Sequence, residues 1–152
     1  MSRGDIAYEN FLKGYNCTQA VTVAFSDIFG LDEEKLARIS GGFGGGVGRM
    51  REVCGTFLGI VMVLSEVYGY SDPTDLKAKK ALYEKIRAAA EEFRSDNKSI
   101  ICRELLGLEK AEDSAEPEAR TPEYYKKRPC PMLCRYAAEL AEKMIEERNE
   151  NL

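Results

Sequence analysis

Residues 40–64 read SGGFGGGVGRMREVCGTFLGIVMVL, and the rest of the chain is arranged around them. Six of the thirteen glycines fall between Gly41 and Gly48. Glycine enters left-handed backbone regions closed to other residues and lets a neighbouring group approach the main chain. Its ordering costs conformational entropy, so a run this dense signals a specific job. Arg49, Arg51 and Cys54 follow, then the apolar run 57–64. The expectation is a tight glycine loop feeding a helix over residues 49–68, with a thiol near the helix start. That helix is apolar on most sides, which makes it buried and central. Gly55 and Gly59 lie four apart on one face and permit close helix packing.

Working outward, helical periodicity covers most of the chain and strand alternation is absent. Residues 5–15 carry Ile6, Phe11, Leu12 and Tyr15 at loose helical spacing. Asn16 with Gln19 three residues on reads as a capping box opening a helix over 17–29. Asp32 caps a short helix over 33–39. Asp72 followed by Pro73 reads as a helix start, and residues 74–94 are apolar on one side and charged on the other. Ser99 caps a short helix over 100–106. Residues 108–129 are charged and aperiodic, a surface loop; the acidic stretch EKAEDSAEPE within it and the charged face of 74–94 read as solvated surface. A last helix runs over 130–148. The fold class is all-α: a single compact domain, 1–152, of six or seven helices around the central buried helix 49–68.

The chain has 152 residues, 44% hydrophobic and 32% charged, with net charge −4. That length suits one domain with a real core. The charge excludes a basic nucleic-acid footprint. The apolar run 53–64 is about half the ~20 residues of a membrane span, so no span is expected. The N-terminal stretch lacks the apolar core of a signal peptide, so the expected compartment is the cytoplasm, where structural disulfides are rare.

There is no histidine, and there are five cysteines: Cys17, Cys54, Cys102, Cys130 and Cys134. A Ser-His-Asp triad, a Cys-His pair and imidazole metal ligands are therefore excluded. Cys17, Cys102 and Cys130 fall at predicted helix starts, and Cys54 follows the glycine loop. Helix N-termini carry partial positive charge, which favours thiolate. Arg49 and Arg51 precede Cys54, and Lys126, Lys127 and Arg128 precede Cys130, pushing the same way. The bland alternative is that cysteine is a small core hydrophobe; it suits Cys134, on the apolar face of the last helix. Gly41 to Gly46 has the GxxxxG spacing of a phosphate loop, but Val47 stands where the lysine is needed, and GxGxxG is absent.

The segments GYNCTQAV, GLDEEKLARISGGFGGGVGRMREVCGTFLG, CRELLG and CPMLCRYAAEL together resemble the C_GCAxxG_C_C family of redox-active proteins. The similarity covers nearly the whole chain. Cys17 corresponds to the family's first cysteine, Cys54-Gly55 with Gly59 to its CGAxxG motif, and Cys102 to its third cysteine. Thr56 replaces the motif's alanine. For the fourth position the spacing to Ala137 and Ala138 favours Cys130, which leaves Cys134 extra. The resemblance implies a redox role without naming a substrate. A related domain in split-Soret cytochromes is associated with an iron–sulfur centre, which makes a cluster an implied alternative.

Two functional readings result. In the first, the protein is a thiol redox protein with thiol–disulfide oxidoreductase-like activity and an unidentified redox partner; Cys54 is the lead nucleophile and Cys17, Cys102 or Cys130 resolves it. In the second, Cys17, Cys54, Cys102 and Cys130, with Cys134 as a further candidate, ligate zinc or an iron–sulfur cluster. In both, backbone N–H groups of Gly44, Gly45, Gly46 and Gly48 stabilise an anion at the site. The family analogy and the amphipathic helices point to a homodimer.

Overall fold

The computed structural model describes residues 1–108 and 114–150. Among them the chain is all-α: α1 Arg3–Leu12, α2 Cys17–Val23, α3 Ser26–Phe29, α4 Glu33–Ser40, a 3-10 turn Gly41–Phe43, α5 Gly55–Tyr68, α6 Leu76–Asn97, α7 Cys102–Leu105, α8 Pro122–Lys127 and α9 Cys130–Glu150. The β-like feature there is an isolated antiparallel bridge, Val53 to Ile101.

Local chemistry sets most helix starts. Ser2 and Asp5 form a reciprocal capping box on α1. The expected box on α2 is present: Asn16 Oδ1 accepts from Gln19 N at 3.0 Å, and Gln19 Oε1 from Asn16 N at 2.9 Å. Each box satisfies two backbone donors that a helix start leaves open. Asp32 caps α4 through Lys35 N at 2.8 Å.

Four boundaries differ from the sequence reading. The expected helix 17–29 breaks after Val23, because Arg3 of α1 donates to Ala24 O at 2.7 Å and stacks 4.6 Å over Phe25. The central helix begins at Gly55 rather than residue 49, because residues 52–54 pair with 100–102 instead of coiling. On α6 the cap is Asp75, which accepts from Ala78 N at 2.9 Å, while Asp72 closes a turn on Thr74. The segment read as a loop contains α8, capped by Thr121 with Pro122 in its first turn. Residues 109–113 of that segment lie outside the described residues.

Helix α5 is the centre of the fold. Phe57, Ile60, Val63 and Leu64 are buried, packed with Ala20 and Val21 of α2, Ala89 and Phe93 of α6 and Ala137, Ala138 and Ala141 of α9. Phe93 meets Phe57 and Tyr136 edge to face at 5.8 and 5.4 Å. Small residues let α2 and α5 close up: a β-carbon on Gly59 would lie 2.8 Å from Val21 Cβ. Among the described residues no helix is long and apolar enough to cross a membrane.

Gly59→Ala is therefore expected to destabilise the protein. Overpacking against stiff, β-branched Val21 outweighs the gain in helix propensity, for a net loss of about 1–2 kcal/mol. Urea unfolding checks this, and a midpoint equal to or above wild type contradicts it.

Candidate functional site

A cavity of about 390 Å³ opens where the starts of four elements meet. Cys17 is the first residue of α2, Cys54 the N-cap of α5, Cys102 the first residue of α7 and Cys130 the first residue of α9; all four line the cavity. Cys134, one turn into α9, is 0% exposed and packs in the core, with Sγ 3.9 Å from Cys17 O. All five cysteines are free.

The glycines bring these starts together. A β-carbon on Gly55 would collide with Cys17 Sγ and lie 2.7 Å from Thr18 Oγ1, which donates to Gly55 O at 2.8 Å. A β-carbon on Gly44 would occupy the place of the Asn16 carboxamide, whose Nδ2 donates to Gly41 O at 2.8 Å. The same side chain that caps α2 thus ties the glycine loop to the Cys17 helix start.

The loop itself is left-handed over a run of residues. Gly45, Gly46, Val47, Gly48 and Arg49 have φ of 69°, 72°, 66°, 56° and 64°, and Arg51 has φ 60°. For Val47, Arg49 and Arg51 this costs roughly 1–2 kcal/mol each. The strain is held by an adjoining main-chain ladder: Arg51 N to Gly45 O at 3.1 Å, Glu52 N to Gly46 O at 2.9 Å, Cys102 N to Glu52 O at 2.5 Å and Cys54 N to Ile100 O at 2.7 Å. Gly46 sits behind the cavity wall, where a β-carbon would come 2.7 Å from both Arg51 Cα and Cys102 Cβ. Gly44, Gly45 and Gly48 line the cavity. Of the four glycines expected to donate to an anion, Gly48 bonds through its N–H to Gly42 O within the loop, and the neighbouring Val47 N bonds to Phe43 O.

Burial, not helix polarity, dominates the thiols. Desolvation pushes Cys54 up to about 12, with nearby Cys17 adding to the rise and the Thr56 hydroxyl, 3.1 Å from Cys54 Sγ, opposing it. Cys130 is pushed up to about 12 by burial first and then by Cys17, Cys54 and Cys102. Cys134 is raised well above its ordinary value by complete burial. This reverses the expectation of a lowered Cys54. Of the arginines preceding it, Arg49 Nη1 donates to Ser114 O at 2.9 Å, and Arg51 Nη1 approaches Cys102 Sγ at 3.8 Å.

Ala115, Pro117, Glu118, Arg120 and Tyr124 form one wall of the cavity, while residues 114–118, the described part of the acidic stretch, are exposed as expected. Arg120 donates to Phe11 O at 2.9 Å and Tyr15 O at 3.1 Å, and its guanidinium lies 4.1 Å from the Phe11 ring centre. Arg128 pairs with Glu118 at 3.3 Å. Sequence reasoning missed Arg120 and Tyr124 because an aperiodic charged stretch carries no signal for a tertiary stack. The Thr121-Pro122 pair was the one local cue that a helix begins there. As donors, the four sulfurs are soft. Among the described residues, no three His, Cys, Asp or Glu side chains are grouped as one ion would require.

Two glycine variants separate space from backbone strain. Gly46→Ala meets backbone at Glu52 N, 2.6 Å away, as well as an unfavourable φ, whereas Gly48→Ala meets nothing within 4 Å. The Gly48 variant should lose about 1 kcal/mol from φ strain alone, and the Gly46 variant at least twice that. Equal losses in chemical denaturation would refute the close contact between Gly46 and the Arg51–Cys102 backbone.

No curated protein and no solved structure matches the chain. The family model described as "Putative redox-active protein (C_GCAxxG_C_C)" matches residues 15–144. That match spans all five cysteines, the glycine loop and every residue that lines the cavity except Phe11, and the chain belongs to this family.

Proposed function

We propose that the protein is a thiol redox protein whose working couple is a dithiol and a disulfide formed among Cys17, Cys54, Cys102 and Cys130. The observation that carries this reading is convergence: four sulfurs, from helix starts far apart in sequence, border one cavity. Electrostatics supports it. Each buried thiolate raises the cost of charging its neighbours, as Cys17, Cys54 and Cys102 do to Cys130. A disulfide is neutral, so pairing two thiols releases two protons and two electrons and leaves no charge in a poorly solvated site. The electrons pass to an oxidising partner, itself a disulfide, which becomes two thiols. No histidine is required once one sulfur is deprotonated. Five free cysteines suit a reducing compartment, and we take the cytoplasm as the setting. We retain the homodimer as the assembly, with light scattering as its check.

The competing reading is an iron–sulfur cluster on the same sulfurs, a donor set such clusters use and a cavity larger than one ion needs. A lone zinc fits less well, given the ungrouped donors.

Anaerobic purification followed by metal analysis, a visible spectrum and peptide mapping of alkylated thiols tests the proposal. Expected is metal-free protein that loses two free thiols per two-electron oxidation, with a bond mapped between two of the four cysteines. Stoichiometric iron or zinc that shields the thiols from alkylation would overturn it. So would an oxidised protein that keeps five free thiols.

A further inference from the structure

We propose that Arg51 is a positioning residue that makes Cys102, rather than Cys54, the attacking sulfur of the site. This rests on the thiol redox reading and names the chemistry within it.

Among the described hydrogen bonds, Cys102 is the cysteine whose sulfur receives a cationic donor, Arg51 Nη1 at 3.8 Å. Cys54 Sγ has the Thr56 hydroxyl and the backbone N–H groups of Thr56 and Phe57, all neutral, and Cys134 Sγ faces the Cys17 carbonyl, which no thiolate would favour. A charge-assisted N–H bond favours the ionised sulfur more than a neutral hydroxyl does. Both partners are sheltered, Arg51 at 7% and Cys102 at 7% exposure, so solvent screens the contact weakly. Burial raises the Cys102 thiol; the Arg51 contact offsets part of that rise, Cys17 adds to it, and Arg128 opposes it more weakly.

The backbone is built to hold this pair. Arg51 keeps a left-handed φ of 60° that suits glycine better than arginine. It is pinned on both sides, by its N–H to Gly45 O at 3.1 Å and by Arg103 N to its carbonyl at 3.2 Å. Gly46 leaves no β-carbon between Arg51 Cα and Cys102 Cβ. A strained residue that the surroundings over-determine is a recurrent sign of a functional site. Here the strain brings a guanidinium to the start of α7.

The chemistry balances without further reagents. The Cys102 thiolate attacks one sulfur of a partner disulfide; that S–S bond breaks, a mixed disulfide forms, and the leaving thiolate takes a proton from water. A second cavity cysteine, deprotonating to solvent, then attacks Cys102 Sγ and releases the remaining partner thiol. The protein ends oxidised by two electrons and the partner reduced by two.

The test uses the full-length reduced, metal-free protein and 4,4′-dithiodipyridine, a neutral disulfide that Arg51 does not attract by charge. Acid quenching and peptide mass spectrometry locate the first mixed disulfide. It is expected on Cys102, although half-buried Cys130 is the more accessible sulfur. Arg51→Met should slow attack at Cys102 on the order of tenfold or more, the effect of about one unit of thiol acidity, with the Cys130 rate unchanged. Arg51→Lys should recover much of the loss, which a purely packing role would not predict. A first adduct on Cys54 or Cys130, an unchanged Cys102 rate in Arg51→Met, or no recovery in Arg51→Lys overturns the proposal. If Arg51→Met fails to fold, Cys102→Ser decides: the fast phase should vanish, and its persistence refutes the assignment. Fast attack at Cys102 without any internal disulfide would sink the thiol redox function and leave this assignment standing; internal pairing with the first adduct on Cys54 would do the reverse.

Discussion

The contact between Gly55 and the Cys17 helix start governs the arrangement. Side-chain-free backbone at Gly55 lets the Cys17 sulfur and Thr18 hydroxyl lie directly on α5, with Thr18 Oγ1 bonded to Gly55 O. One turn on, Gly59 takes the flank of Val21 in the same way. These two absences of a β-carbon draw α2 onto the central helix, and Asn16 then reaches the glycine loop. The remaining helices pack on that pair, so the candidate site and the hydrophobic core share one foundation. A substitution that separates α2 from α5 is felt by both.

The site pairs two conflicting demands. Packing density buries the thiols and penalises their charge, while redox chemistry needs at least one sulfur ionised. A left-handed loop presents Arg51 to Cys102 and partly offsets the rise that burial causes there, while Cys54 Sγ meets the neutral Thr56 hydroxyl and the backbone N–H groups of Thr56 and Phe57. Helix-start polarity, about half a unit of charge, is too weak to overcome burial of the kind seen at Cys54 and Cys130. Proximity alone is not activation; under the proposal, the direction of Arg51 sets Cys102 apart from the other thiols.

The wall formed by residues 114–128 shows how a polar segment is held without a core of its own. Arg120 satisfies two carbonyls at the end of α1 and covers the Phe11 ring, while Tyr124 and Tyr125 stack around the same ring. Arginine suits this task because its planar group hydrogen-bonds at the edge and stacks on its face. The cavity is closed on this side by cation–π and carbonyl contacts rather than by aliphatic packing.

Periodicity and capping chemistry are local, and they carried the all-α class, the buried apolar helix, the α2 capping box and the close helix packing at Gly55 and Gly59, though not that α2 is the partner. They also singled out the four cysteines that line one cavity, because thiols at helix starts are visible as sequence spacing. What tertiary structure decided depends on partners distant along the chain. Arg3 breaks the helix expected over 17–29 from outside it. Residues 100–102 capture 52–54 and delay α5 to Gly55. Arg120 turns a charged stretch into a wall. The sign of the thiol shifts belongs here as well, since desolvation depends on everything packed around a sulfur and sequence spacing reports only its neighbours. The sequence put Arg49 and Arg51 before Cys54; the left-handed turn between them sent one to Ser114 and the other to Cys102, because a side chain's direction follows backbone dihedrals that local order alone does not determine.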